Sequence, residues 1–236
     1  MKRAFAIEAI VFSKYIRQML LSAVFVASCL AVGTGSIIGA PMTVFMMLTF
    51  GMVASSAAYD EQNGWATYRL AMPMSRRDVV IGRYAFILAA SLAISGLFAV
   101  AGLGLSALGQ VVTLPEILDT VLLKNGDDLM AYAATSAVGV CTGLLLASFC
   151  LPMFFKLGQT KATHWLPFAM VLVTMSPFFV MQGLGEDTLA SIMQLLNYVQ
   201  TPAGIGVMTS ACLGVSVVVY VASVCVAIRF YEKREL

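Results

Sequence analysis

The sequence predicts an all-α integral membrane protein with six transmembrane helices and both termini on the cytoplasmic side. Three observations carry that expectation. Of the 236 residues, 60% are apolar and 11% charged, against about 45–50% and about 25% in soluble domains. The mean hydropathy of +0.91 excludes both a soluble globular chain and a disordered one. The charges are also segregated, with no Lys, Arg, Asp or Glu in 18–59, 84–115, 129–155, 162–185 or 188–228. A net charge of +2 is too small for a nucleic-acid-binding surface.

A helix needs about 20 apolar residues to cross the hydrocarbon, and an Asp, Lys or Arg at mid-span costs ~2.5–3.5 kcal/mol. The first uncharged stretch holds two spans, 19–39 and 42–59, broken at Gly39-Ala40-Pro41, where the proline can open the returning helix. Single spans are expected at 83–108, 129–154 and 164–182. The last stretch has room for one span, 205–228, or for two, and charge asymmetry selects one. With six spans, Lys2, Arg3, Lys14, Arg17, Arg69, Arg76, Arg77, Arg83, Lys156, Lys161, Arg229, Lys233 and Arg234 are cytoplasmic, and Lys124 alone is outside. A seventh span would move Arg229, Lys233 and Arg234 outside, against the positive-inside rule.

The chain outside the spans reads as surface segments of one transmembrane domain, 1–236. Residues 1–18 do not form a cleavable signal, because Glu8, Lys14 and Arg17 interrupt the apolar run. Phe5, Ile7, Ile10, Val11 and Tyr15 alternate there with Lys2, Arg3, Lys14 and Arg17, a pattern suited to a helix lying on the anionic cytoplasmic leaflet. An external helix is expected within 110–128, with Pro115 in its first turn and Gly126 past its end. Within the external segment 183–203, Leu189, Ile192, Met193, Leu196 and Val199 oppose Ser191, Gln194 and Asn197. That pattern fits an outer amphipathic helix or re-entrant hairpin between spans five and six, and it also fits an ordinary surface helix.

Catalytic chemistry is missing. Cys29, Cys141, Cys150, Cys212 and Cys225 fall in expected spans without metal or redox spacing and read as small apolar residues. His164 is the single histidine, which excludes a two-histidine metal site. No span interior carries the carboxylate, imidazole or nucleophile–base pair that proton pumps and intramembrane proteases need. There is no G-x-x-x-x-G-K-[ST] loop, so the chain does not bind ATP in that manner itself. Gly35-x-x-x-Gly39, Gly139-x-x-x-Gly143 and the looser series Gly206, Ser210, Gly214 suit close helix packing, within one chain or between two copies.

The loop between spans two and three is the most informative segment. A short helix is expected from Asp60 to Ala71, with acids in its first turn where the dipole favours them and Pro73 as its stop. Ser75-Arg76-Arg77-Asp78 is a capping sequence that opens the next long helix. Trp65, Tyr68 and Met72 then share a face rimmed by Glu61, Arg69 and Arg76. Aromatic anchors inside a polar rim suit docking of a soluble protein, and they suit the lipid headgroups equally.

These residues resemble the coupling helix of permeases of the type-2 ABC export class. The similarity is to the small six-span branch that includes phenol-soluble-modulin and lantibiotic-type peptide exporters. There an acidic residue, an aromatic and an "lP-S-R-x-D/E-V/I-V…-K/R-Y" run precede the third span. This chain has Asp60-Glu61, Trp65, Tyr68, Met72-Pro73-Met74-Ser75-Arg76-Arg77-Asp78-Val79-Val80 and Arg83-Tyr84. After span four, Pro152-Met153-Phe154-Phe155-Lys156-Leu157-Gly158 with Lys161 resembles the branch's "P-x-x-[YF]-K-[FL]-G-x-x-K". Thr163-His164 departs from it, since the branch often has a basic residue there.

The resemblance implies a permease of the bacterial cytoplasmic membrane, paired with an identical or paralogous second permease chain and served by a separate cytoplasmic ABC ATPase that holds ATP and Mg. Asp60, Glu61, Trp65, Tyr68, Arg69, Met72 and Arg76 are the expected ATPase contacts, with Lys156, Gly158 and Lys161 in a second cytoplasmic loop. Apolar span faces favour an amphipathic or lipophilic cargo: a peptide, an antimicrobial or a drug. No cofactor or metal is expected in this chain. Two other readings stay open, a stand-alone solute-binding subunit or carrier and a non-transporting immunity or scaffold protein.

Overall fold

The computed structural model describes residues 2–62, 75–111, 121–123, 125–182 and 201–233, with the backbone alone over 165–182. The described residues form six α-helices and no strand: α1 (Lys2–Ser13), α2 (Ile16–Thr34), α3 (Ala40–Gln62), α4 (Arg76–Val111), α5 (Gly126–Gln182) and α6 (Pro202–Glu232). Five stretches among them are long and apolar enough to cross a membrane: Ile16–Thr34, Ala40–Glu61, Arg76–Gly109, Gly126–Gly158 and Ala203–Glu232. The expected fifth span, 164–182, is helical and forms the far part of α5 beyond Gly158.

Local chemistry sets the ends, and several differ from expectation. The first span stops at Thr34, not near 39, because Gly35 adopts the left-handed conformation (φ 65°). The Gly35 and Ser36 amides donate back to Val32 and Ala31 carbonyls, the latter at 3.0 Å, which closes the helix with a glycine C-terminal motif. Ser75 caps α4 as its spacing predicts. Its hydroxyl accepts from the Asp78 amide at 3.1 Å and donates to the Asp78 carboxylate at 2.9 Å. With 36 residues, α4 is about 54 Å long against a hydrocarbon core of about 30 Å, so it is longer than a crossing requires. Gly126 opens α5, where the Asp128 carboxylate accepts from the Asn125 amide at 3.1 Å; the external helix expected within 110–128 and the outer segment 183–203 fall mainly on 112–120 and 183–200, outside the described residues. Residues 110 and 111 belong to α4. Thr201 and Pro202 start α6, the Thr201 hydroxyl accepting from the Gly204 amide at 3.1 Å.

The second cytoplasmic loop expected after span four is a single residue. Gly158 leaves helical geometry at φ 77°, ψ 173° within otherwise continuous helix, a conformation essentially confined to glycine.

Packing centres on α5, which lies against both α3 and α6, while α2 packs on α3 and α1 lies across α4 and α3. Phe45, Leu48, Met52, Tyr84, Ile87 and Leu151 are the large, fully buried side chains between them. Gly139 and Gly143 let α5 approach α3 closely: a Cβ on Gly139 would sit 2.7 Å from the Met42 Cα, and one on Gly143 would strike the Phe45 ring. This glycine pair therefore serves packing within one chain. Gly206 and Gly214 face open space on α6, and the Gly35–Gly39 pair falls in a helix end and a turn. The outward faces are inverted relative to a soluble protein, with Phe25, Leu97, Val100 and Val218 all more than 60% exposed, as contact with hydrocarbon requires. Buried serines such as Ser95 and Ser148 return their protons to carbonyls four residues back, each at 2.6 Å, which satisfies these hydroxyls within their own helices.

Candidate functional site

Charged contacts between helices concentrate at one end of the bundle, where Lys14, Arg76, Arg77, Arg83 and Lys156 meet neighbouring helices. At this basic end Arg83, in the second turn of α4, is 3% exposed. Its Nε donates to Glu8 Oε1 of α1 at 3.0 Å and its Nη2 to Asp60 Oδ2 of α3 at 2.6 Å. The Glu8 side chain is 4% exposed and that of Asp60 18%. The guanidinium also lies over the Phe155 ring of α5, 5.2 Å from its centroid. One side chain thus joins four helices, and the forked donor set of arginine is what permits two carboxylates at once. Removing one partner of such a buried set strands the remaining charge, at a cost of about 3–5 kcal/mol.

Apolar contacts hold α1 in register for this pairing. Ala4 lies against Gly82, where a Cβ would be 2.6 Å from that of Ala4. Phe5 and Phe12 flank Phe86 edge-on at 5.4 and 5.5 Å. The expected amphipathic pattern of α1 needs correction here. Its protein-facing stripe is Ala4, Glu8, Val11 and Phe12, while Ile10 is 65% exposed. Glu8 turns inward because Arg83 offsets the desolvation of its charge.

The start of α4 closes on the end of α6. Arg76 Nη1 donates to the Tyr231 and Glu232 carbonyls at 3.0 and 2.9 Å, groups left without helical partners in a last turn. Arg77 pairs with Glu232 at 2.7 Å on the surface, and that hydrogen bond raises the arginine's proton affinity. The Ser75 hydroxyl holds the Asp78 carboxyl below its usual range. Lys156 sits over the Phe230 ring at 5.0 Å, and Phe155 meets Tyr231 edge-on at 5.1 Å.

One layer deeper, the Tyr84 hydroxyl donates to Ser223 Oγ at 2.8 Å, and Ser223 Oγ donates to the Ser148 carbonyl at 2.6 Å. The Tyr220 hydroxyl donates to the Tyr84 carbonyl at 2.9 Å. This buried chain fixes α4, α5 and α6 to one another. At the opposite end, the Ile37 amide donates to the Val121 carbonyl at 3.0 Å and the Leu123 amide to Ser106 Oγ at 3.3 Å. Beneath them is an apolar cleft of about 300 Å³ whose walls include Ala27 and Ala31 of α2, Val44 of α3, and Phe98 and Leu105 of α4.

The expected contact residues divide into three groups. Asp60 and Glu61 do not open a separate helix: they lie in the last turns of α3, whose favourable packing carries the helix past the point where acids suggest a new start. Trp65, Tyr68, Arg69 and Met72 fall in 63–74, outside the described residues. Arg76, Lys156, Gly158 and Lys161 are all at the basic end, with Lys156 and Lys161 exposed and Gly158 buried.

A family model described as ABC-2 family transporter protein matches residues 8–232, nearly the whole chain. The chain belongs to the ABC-2 transporter family. It is accordingly a multi-pass membrane permease of the ABC-2 type. No curated protein and no solved structure matches it.

In this ABC-2 permease the most buried charges at the basic end are Glu8 and Arg83, which the sequence presents only as an interruption of the first apolar run and as part of the Arg83-Tyr84 match, with no role for either. A signal existed. Glu8 interrupts an otherwise apolar helix stripe, and Arg83 is the last charge before the uncharged stretch 84–115. Their pairing across 75 positions of sequence has no local signature.

Proposed function

We propose that this chain is the permease subunit of an ATP-driven exporter whose energy comes from a separate cytoplasmic ATPase. Membership in the ABC-2 family over residues 8–232 is the observation that carries the reading. The absence of a phosphate loop from the sequence is consistent with ATP and Mg being held by the partner. In this reading the chain has six spans, the far part of α5 being the fifth, and the basic end is cytoplasmic, as the distribution of Lys and Arg favours. The protein resides in a bacterial cytoplasmic membrane and works with a second permease chain, identical or paralogous.

The ATPase docks on the segment that follows Asp60 through Glu61, Trp65, Tyr68, Arg69 and Met72, with Arg76 beside it, while the Asp60 carboxylate is taken up by Arg83 and opens the segment without touching the partner. Lys156, Gly158 and Lys161 mark the second cytoplasmic loop of this reading, its two exposed lysines flanking the buried glycine. Closure of the ATPase pair pushes on this segment, and the rigid helices carry the displacement to the outer side. Span faces without charge and the apolar cleft favour an amphipathic or lipophilic cargo such as a peptide, an antimicrobial or a drug.

The test is to purify the tagged chain gently from its native membrane and identify stoichiometric partners by mass spectrometry. The expected result is a phosphate-loop ATPase that is lost from Trp65→Ala/Tyr68→Ala while membrane insertion is preserved. A monodisperse preparation with no ATPase would refute the reading and favour a stand-alone carrier or an immunity protein.

A further inference from the structure

Three helices meet at Arg83, and one of them leads directly into the proposed docking segment. Asp60 is two residues from the end of α3, immediately before 63–74. Glu8 lies in the middle of α1, which reaches the bundle chiefly through α4. The guanidinium that binds both is itself anchored over Phe155, three residues before the Gly158 break. Surface ion pairs slide and exchange with water, but this set is enclosed, with Arg83 and Glu8 both under 5% exposed. Around it the contacts are stiff. Gly82 has no room for a side chain against Ala4, and the Phe5, Phe12 and Phe86 rings interlock.

We propose that Arg83 is a positioning residue for energy coupling: by holding Glu8 and Asp60 together it makes α1, the end of α3 and the start of α4 move as one body. Displacement of the segment after Asp60 then moves α1 and α4 with it, and is not absorbed by bending at the end of α3. Arg83 touches neither nucleotide nor cargo and acts only through the helices it ties. This role rests on the permease reading above, and it assigns the coupling function to a buried ion set outside the docking surface.

Arg83→Met alone leaves two carboxylates enclosed without a cation, and that variant is expected to misfold. The informative variant is Glu8→Gln/Asp60→Asn/Arg83→Met, which removes all three charges while keeping side-chain volumes similar, a replacement that buried ion sets often tolerate. The complex of permease and copurifying ATPase is reconstituted in lipid nanodiscs, and ATP hydrolysis is compared with that of the ATPase alone. The triple variant is expected to retain stoichiometric ATPase and an unchanged KM for ATP. Its permease-dependent kcat should fall by between about two- and thirtyfold, the range over which residues of a coupling network act. Arg83→Lys, which keeps the charge but not the fork, is expected to lie between wild type and the triple variant. A purely structural role would lower yield or thermal stability and leave the kcat of the folded complex intact, and that result overturns the proposal. If the wild-type chain brings down no ATPase, the permease reading fails first and the coupling role falls with it.

Discussion

Adding one methyl group at Gly139 tests the packing logic of the bundle directly. In Gly139→Ala the new Cβ would sit 2.7 Å from the Cα of Met42 and 3.4 Å from its amide nitrogen. Carbon atoms pack at about 3.5–4.0 Å, so the shortfall at the Cα is about 1 Å. The obstacle is main chain, which cannot rotate away, and α3 and α5 must therefore separate. Overpacking of this kind costs about 1–3 kcal/mol. Replacing glycine by alanine inside a helix also contributes about 0.5–1 kcal/mol of stability. Gly104→Ala supplies the control, because nothing lies within 4 Å of its Cβ position on α4. The propensity term cancels between the two variants, leaving Gly139→Ala less stable by about 1–3 kcal/mol. Reversible unfolding in mixed detergent micelles measures the difference, repeated at several protein concentrations. A gap under about 0.5 kcal/mol, the scatter of surface substitutions, refutes the argument. So does a gap that depends on protein concentration, since that would put the glycine pair between copies.

Three further outcomes are expected. Gly158→Ala forces a side chain into φ 77°, ψ 173° and should destabilise the folded state by about 1–3 kcal/mol; full stability in the same unfolding assay would mean that the break tolerates ordinary residues. Tyr84→Phe removes the hydroxyl bonded to Ser223 and should cost about 0.5–1.5 kcal/mol, with Tyr220→Phe adding less than its own value because the two rings are in direct contact, 5.1 Å between centroids. The Asp78 carboxyl is held below its usual range by Ser75, so its folded-state value lies under its unfolded one. The corresponding stability is present above the unfolded value and disappears as pH falls through the folded one. The stability gap between wild type and Ser75→Ala should therefore be largest near neutral pH and shrink on acidification, and a gap independent of pH would show that the Asp78 charge contributes nothing.

How far the sequence could be read depended on the range of the interaction involved. The capping sequence Ser75-x-x-Asp78 was legible because its bonds close within one turn. Pro41 near the start of α3 was legible for the same reason, whereas Pro202 lies ahead of the expected sixth span at 205–228. Gly35 could have been read as a stop, but the apolar residues continuing through Ile37 and Ile38 hid it. Asp60 looked like the start of a helix and proved to be near the end of one, since a carboxylate in a last turn is acceptable where a distant arginine meets it.

The candidate site divides along the same line. The segment 60–78 stood out by composition, because aromatic and charged residues are conspicuous in a chain that is 60% apolar. The role of Glu8 did not stand out, because a single acid in a basic, amphipathic helix reads as a surface charge until its partner is known.

What the sequence determined by itself is the environment and the helical content: enough uncharged length to require hydrocarbon around it, and charges collected at the ends. Those properties are sums over residues and need no knowledge of neighbours. The tertiary structure decided which helix faces which. It put Gly139 and Gly143 against Met42 and Phe45 while leaving Gly206 and Gly214 open, and it drew Glu8 and Asp60 onto Arg83. Hydrophobicity drives a helix into the membrane without directing its faces, because lipid tails are as apolar as leucine. The faces are chosen by close packing and by the few polar groups that must find one another, and both depend on residues far apart in the chain.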